Sequence, residues 1–301
     1  MRRALALVAA AVLLLGSLSG CARPSGTDGD LVDDWAMLPA GKVPEPVVGA
    51  CFDSAGYNAY DVTAFEMPGT PVPCDGPHQV ETAAVGQLPP DLAKAPKRPE
   101  RDQFAPVYPA CEQAVAQYLG ADWQSGRLYL YLKPPTYAQW LGGLRTYHCD
   151  VVAIGPDHSR IVRFDKPFKG AAAPGGPLAA GCFTTSGGDA NVLFRTADPA
   201  PCTGPHDLEY AGFVTVPATT AYPASSAEQG KLFGDACEAK VLAYMGMTRA
   251  NYRRQNNVST ISWGPSGETG WKAGDHSARC YLMSHNRTLS RSVKGIGNLT
   301  I

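Results

Sequence analysis

The sequence predicts an α+β protein made of two tandem homologous domains, each an antiparallel sheet with one main helix and two disulfides. Three observations carry that prediction. Eight cysteines fall into two sets of four, their neighbours repeat with a period near 130 residues, and each repeat holds one helical apolar stripe among strand-like runs. Composition fits a folded chain: 45% of 301 residues are apolar, and 26 basic side chains stand against 27 acidic ones. A net charge of −1 supplies no field to hold nucleic acid. Thirty-two Gly and 26 Pro favour loops and short elements over long helices.

Residues 1–20 read as a lipoprotein signal peptide. Arg2 and Arg3 precede an uncharged apolar run from Ala4 to Gly20, the layout of a secretory signal. The small residues of Leu18-Ser19-Gly20 lead into Cys21, as in the lipobox of bacterial lipoproteins, so Cys21 is the expected diacylglyceryl acceptor and new N-terminus. The other reading is an uncleaved transmembrane anchor, for which the run is somewhat short against about 20 residues. Loss of Arg2 and Arg3 leaves 24 basic against 27 acidic residues, a net charge of −3. Residues 21–46, with four Asp and repeated Pro and Gly, read as an acidic tether that anionic lipid repels, or equally as an ordinary solvated leader.

Nine Cys are present, and setting Cys21 aside leaves spacings of 23, 37 and 38 residues in one set and 20, 35 and 43 in the other. Cys51-Phe52 matches Cys182-Phe183. Pro73-Cys74 through Pro77-His78 and Glu81 matches Pro201-Cys202 through Pro205-His206 and Glu209. Ala110-Cys111-Glu112 matches Ala236-Cys237-Glu238, and Trp140, Gly143 and Cys149 match Trp271, Gly274 and Cys280. The period is too long for a solenoid unit. Each copy is large enough to be a domain, one over residues 47–165 and one over 181–301, with the Ala/Gly/Pro-rich residues 166–180 as linker. In an exported chain even cysteine counts read as disulfides, and four per copy allow three pairings. The layout favours Cys51–Cys74 with Cys111–Cys149, and Cys182–Cys202 with Cys237–Cys280. In each copy the first two flank one extended region, while the third lies on a helix above the strand that carries the fourth.

Within the first copy, Cys111, Ala114, Val115, Tyr118 and Leu119 share one helical face, and Gly120 is a natural terminator. The second copy repeats this with Phe233, Cys237, Val241 and Tyr244 before Gly246. Strands are predicted at 80–87, 127–133 and 144–154, then at 208–216, 258–263 and 277–284. Along 128–132 the tyrosines 129 and 131 face one side and the leucines the other.

These residues resemble the septum-formation domain family of actinobacterial envelope proteins. The carrying features are Cys-Phe, Pro-Cys-x-x-Pro-His-x-x-Glu, the helical Cys, Trp-x-x-Gly with a Cys six residues on, and the closing Ser292-Val-Lys-Gly295. The sequence departs from the pattern in two places: His276 stands where the first copy has Arg145, and the first copy ends in Ser159-Arg-Ile-Val-Arg163 instead of the closing motif. The resemblance implies a link to division or the cell wall and no catalytic residue.

Candidate binding residues are His78, Glu81, His206, Glu209, Trp140, Trp271, Tyr129 and Tyr131. A zinc reading would use Cys74, His78 and Glu81, but a cysteine spent in a disulfide has no thiolate, and His78 and Glu81 on an extended strand should point to opposite faces. The competing reading has each imidazole bonding backbone in the turn after Cys-x-x-Pro. The tryptophans are either sugar-stacking platforms or packing around a disulfide. No Walker A, H-E-x-x-H or C-x-x-C motif occurs, and Gly264-Pro-Ser-Gly-Glu268 misses G-x-S-x-G at its last place. The expectation is a non-catalytic protein without metal or cofactor, lipid-anchored to the outer face of the cytoplasmic membrane, binding an envelope protein or peptidoglycan. The alternative is a His/Glu-based metal-binding or hydrolytic envelope enzyme.

Overall fold

Long strands at the centre and short, proline-bearing strands at one edge give both sheets the same plan. The computed structural model describes residues 43–53, 69–157, 160–189, 193–264 and 267–301; the signal peptide, Cys21 and the tether up to residue 42 lie outside them. The first sheet contains β1 (Cys51–Asp53), β2 (Thr70–Val72), β3 (Val80–Gln87), β4 (Leu128–Lys133) and β5 (Thr146–Ala153), in the order β2-β1-β3-β5-β4. The second contains β6 (Cys182–Ser186), β7 (Thr196–Ala200), β8 (Leu208–Thr215), β9 (Val258–Trp263) and β10 (Ser277–Ser284), in the order β7-β6-β8-β10-β9. All pairings are antiparallel. In both, the longest ladder carries one bulge beside a cysteine: Ala83 is the extra residue of β3 and Ala211 that of β8.

The helices are α1 (Pro90–Ala93), α2 (Tyr108–Leu119), α3 (Tyr137–Leu141), α4 (Ser226–Met245), α5 (Arg249–Tyr252) and α6 (Gly267–Ala273), with 3₁₀ turns at Arg101–Val107 and Trp123–Ser125. Helix α2 buries Cys111, Val115 and Leu119, and α4 buries Phe233, Cys237, Val241 and Met245, each set recurring every fourth residue. Gly120 and Gly246 end them in the left-handed region at φ 79° and 65°. A capping box, Ser225 with Glu228, starts α4.

Disulfides Cys111–Cys149 and Cys237–Cys280 bolt each long helix to its sheet, while Cys51–Cys74 and Cys182–Cys202 close the loops holding the short edge strands. These are the pairs the element layout favours. Chain entropy assigns each about 3–4 kcal/mol at most.

The segment expected to be a linker is instead packed. Phe168, Ala171, Ala172 and Leu178 are buried in the first core, and Leu178 N donates to Ala171 O at 2.9 Å. Its first part performs the closing role that seemed missing from the first half. Gly170 N donates to Tyr118 O and Ala172 N to Leu119 O, just as Gly295 N donates to Tyr244 O and Gly297 N to Met245 O. Phe168-Lys169-Gly170 therefore occupies the place of Val293-Lys294-Gly295, so the first half does not end at Arg163; Ser159 itself lies outside the described residues.

Separable domains are not observed either, since residues 43–301 form one compact unit. The turn Trp123–Ser125 lies against the outward face of the second sheet. Arg279, 6% exposed, sends Nε to Gln124 O (2.9 Å) and Nη2 to Leu128 O (2.5 Å), Gly126 O (3.3 Å) and Trp123 O (3.5 Å). Its guanidinium also sits 4.9 Å from the Trp123 ring and 5.3 Å from that of Tyr129. Nearby, Gly274 (φ 120°) approaches Tyr108 so closely that a Cβ would fall 2.5 Å from the tyrosine Cβ. Only glycine fits there, both for its backbone and for the contact.

Candidate functional site

The sequence between Pro-Cys-x-x-Pro and the first long strand makes a turn before the ladder begins, and that turn decides where the histidines point. His78 forms an isolated bridge with Phe164, and His206 one with Leu289, before β3 and β8 start. Because the histidines lie outside the regular strands, the two-residue alternation does not apply to them. His78 and Glu81 consequently meet instead of facing apart: Nε2 lies 3.4 Å from Glu81 Oε2, and in the second half His206 Nε2 lies 2.8 Å from Glu209 Oε1. The expectation of opposite faces is overturned. The expected backbone bond is present, with Nδ1 of His78 2.8 Å from Gly76 O and Nδ1 of His206 2.7 Å from Gly204 O.

A carbonyl only accepts, so Nδ1 carries the proton in both rings. Nε2 and a carboxylate at 2.8 Å then need a proton between them, and the His206–Glu209 pair holds it. The carboxylates gather further donors. Glu209 accepts from Tyr244 Oη (2.9 Å), Ser292 Oγ (2.8 Å) and Val293 N (2.9 Å); Glu81 accepts from Tyr118 Oη and Phe168 N (2.6 Å). Burial, with the adjacent carboxylate, holds both phenols well above their ordinary range, so they stay protonated and donate. Each glutamate thus pins three things to one point: the strand entry, the long helix and the closing segment. The four side chains are 0–1% exposed, and no ligand reaches them from solvent in this arrangement.

Cys51 joins His78 and Glu81, and Cys182 joins His206 and Glu209, in two clusters whose potential ligand atoms lie within 4.8 Å of one another. The zinc reading named Cys74, whereas the cysteine nearest the pair is its disulfide partner Cys51. Both are oxidised, so neither cluster offers a thiolate in this state.

The other candidates are also buried. Trp140 and Trp271 are 4% and 5% exposed, which removes the sugar-platform reading. Arg145 lies 3.6 Å over the Trp140 ring, and His276, at the matching position, stands edge-on to Trp271 at 4.5 Å. The departure from Arg to His therefore conserves a cover for the indole. Tyr129 and Tyr131 belong to the core, because the outward face of β4 is covered and not free as an interface. Alternation identified their shared face correctly; what lies on that face is a tertiary matter.

Sequence reasoning missed a polar cluster on the outward face of the first sheet. Thr82 Oγ1 donates to Asp150 Oδ1 at 2.7 Å, His148 Nε2 stands 3.5 Å from Asp150 Oδ2, and Lys133 pairs in register with His148. Burial alone would raise the Asp150 carboxyl, but His148, Lys133 and the Thr82 hydroxyl together hold it below its ordinary value. The matching positions of the second sheet carry Tyr210, Tyr281, Arg279 and Trp263, the face that receives the Trp123–Ser125 turn. A polar Thr at 82 and the alternation of His148 and Asp150 were the available signal.

The sequence model of the septum formation family matches residues 49–280. No curated protein and no solved structure matches the chain.

Proposed function

The chain belongs to the septum formation family, and on that premise we propose a lipid-anchored, non-enzymatic recognition protein on the outer face of the cytoplasmic membrane, serving division or wall assembly. It is built from two tandem copies of one module, a reading supported by the identical strand orders, the matched bulges and the paired His/Glu/Tyr networks. The anchor is the diacylglyceryl group on Cys21. One observation carries the proposal: the residue types able to do chemistry, His78, Glu81, His206 and Glu209, are buried and held in place by internal bonds. The enzyme alternative needs a substrate to reach them, and their burial opposes it.

Recognition then belongs to the surface. On α3, Tyr137 and Leu141 are 65% and 69% exposed, one turn apart on the same face. The matching positions of α6 hold Glu268 and Lys272, an exposed ion pair at 2.8 Å. A Tyr/Leu pair where the sister helix is charged suits an apolar protein partner, and the burial of both tryptophans disfavours glycan stacking.

Two outcomes test this. Cys21→Ser should move the protein from the membrane fraction to the medium, and retention in the membrane would refute the lipid anchor. Tyr137→Ala with Leu141→Ala should change stability by less than about 0.5 kcal/mol yet abolish envelope cross-links formed through a photo-cross-linker placed at the exposed, neighbouring position 138. Unchanged cross-links, or equal ones through residue 268, would refute the docking face; capture of peptidoglycan alone would refute the protein partner.

A further inference from the structure

We propose that each half carries a thiol-gated zinc site, made of Cys51, Cys74, His78 and Glu81 in one and Cys182, Cys202, His206 and Glu209 in the other. It goes beyond the recognition role and does not depend on it. Three independent observations support it. The same buried trio of sulfur, imidazole and carboxylate recurs in both halves, Cys51, His78 and Glu81 in one and Cys182, His206 and Glu209 in the other, with these three ligand atoms within 4.8 Å of one another. Each imidazole gives its Nδ1 proton to a backbone carbonyl, which turns Nε2 toward the carboxylate and sulfur, the second-shell arrangement of metal-binding histidines. His78 Nε2 is fully buried with no hydrogen-bond partner, its nearest polar neighbour being Glu81 Oε2 at 3.4 Å.

The gate is the disulfide. Cys74 and Cys202 are half-buried, whereas Cys111, Cys149, Cys237 and Cys280 are fully buried, so a reductant meets the first and third bridges and not the other two. A protein dithiol attacks Cys74, forming a mixed disulfide and releasing Cys51. Its second thiol then closes on its first and releases Cys74. The dithiol becomes a disulfide, and the chain gains two electrons and two protons. With Cα atoms 5.4 Å apart (5.2 Å in the second half), the freed sulfurs can spread to the spacing of a tetrahedral zinc without moving the backbone. Zinc entry displaces both thiol protons and any proton held between Nε2 and the carboxylate.

Residues 22–301, which lack Cys21, are treated with a phosphine reductant and then with Zn²⁺ or Co²⁺. The expected result is four free thiols by alkylation and mass spectrometry, two Zn²⁺ retained through gel filtration, and a thiolate-to-cobalt charge-transfer band. The oxidised protein should retain none. Substituting His78→Ala or His206→Ala should lower the stoichiometry from two to one. Cys51→Ser with Cys74→Ser, which leaves the second half intact, should do the same if a histidine variant fails to fold. No retained metal, undiminished metal in the folded histidine variants, release of all eight thiols, or unfolding on reduction would each overturn the proposal.

Discussion

Arg279→Ala is expected to cost about 3–5 kcal/mol and to lower the melting temperature by about 10 °C. The substitution removes a charged donor from the carbonyls of Trp123, Gln124, Gly126 and Leu128 and leaves them buried against the second sheet. It also withdraws the cation from the Trp123 and Tyr129 rings. Arg279→Lys should recover only part of the loss, because an ammonium on a flexible stem cannot span several carbonyls as the planar fork does. Since these bonds join the two halves, unfolding of the alanine variant should separate into two calorimetric transitions where the parent shows one. A loss below about 1 kcal/mol, with one transition retained, would contradict this role.

Glu209→Gln should cost about 2–4 kcal/mol, and Glu209→Ala about 3–5 kcal/mol. The carboxylate receives His206, Tyr244, Ser292 and Val293 at once, and an amide presents its own N–H groups to some of those donors. The loss should be local before it is global. Ser292 and Val293 are released first, so limited proteolysis should cut within 289–301 in the variant and not in the parent. Glu81→Gln should expose the segment around Phe168 in the same way. Proteolysis at unchanged sites, with stability unchanged within about 0.5 kcal/mol, would show that the glutamates do not pin these segments.

Much of the fold was legible because its signals are local. Three strands, Val80–Gln87, Val258–Trp263 and Ser277–Ser284, run as their alternation predicts, and the others differ by one or two residues at their ends. The helical stripe through Cys111 and Cys237 was equally plain. The edge strands β2 and β7 were not resolved within the extended region between the first two cysteines, because Pro71 and Pro199 lack the N–H that a ladder uses. Both strands lie at a sheet edge, where a missing N–H is tolerated. The segment 166–180 was misread for a related reason: small residues and glycines suit a solvated linker and a closely packed strap alike. A Cβ on Gly126 would lie 3.2 Å from Leu178 O and 3.3 Å from Ala172 Cβ, an approach that only tertiary structure discloses. The site followed the same division. Residue types and the histidine–carbonyl bond were readable, but the His–Glu meeting depends on a turn just outside the strand, and the covering of Tyr129 depends on the other half.

Hydrogen–deuterium exchange across residues 164–180 tests the central claim, that the two halves are locked into one body by a packed strap and buried pins. The amides of Phe168, Gly170, Ala172 and Ala180 have acceptors in the body of the first half, and Leu178 N closes onto Ala171 O within the strap. They should exchange as slowly as those of β3 and β5, through global unfolding. Exchange of this segment within seconds, while both sheets remain protected, would mean two independent modules on a flexible tether and would contradict the account.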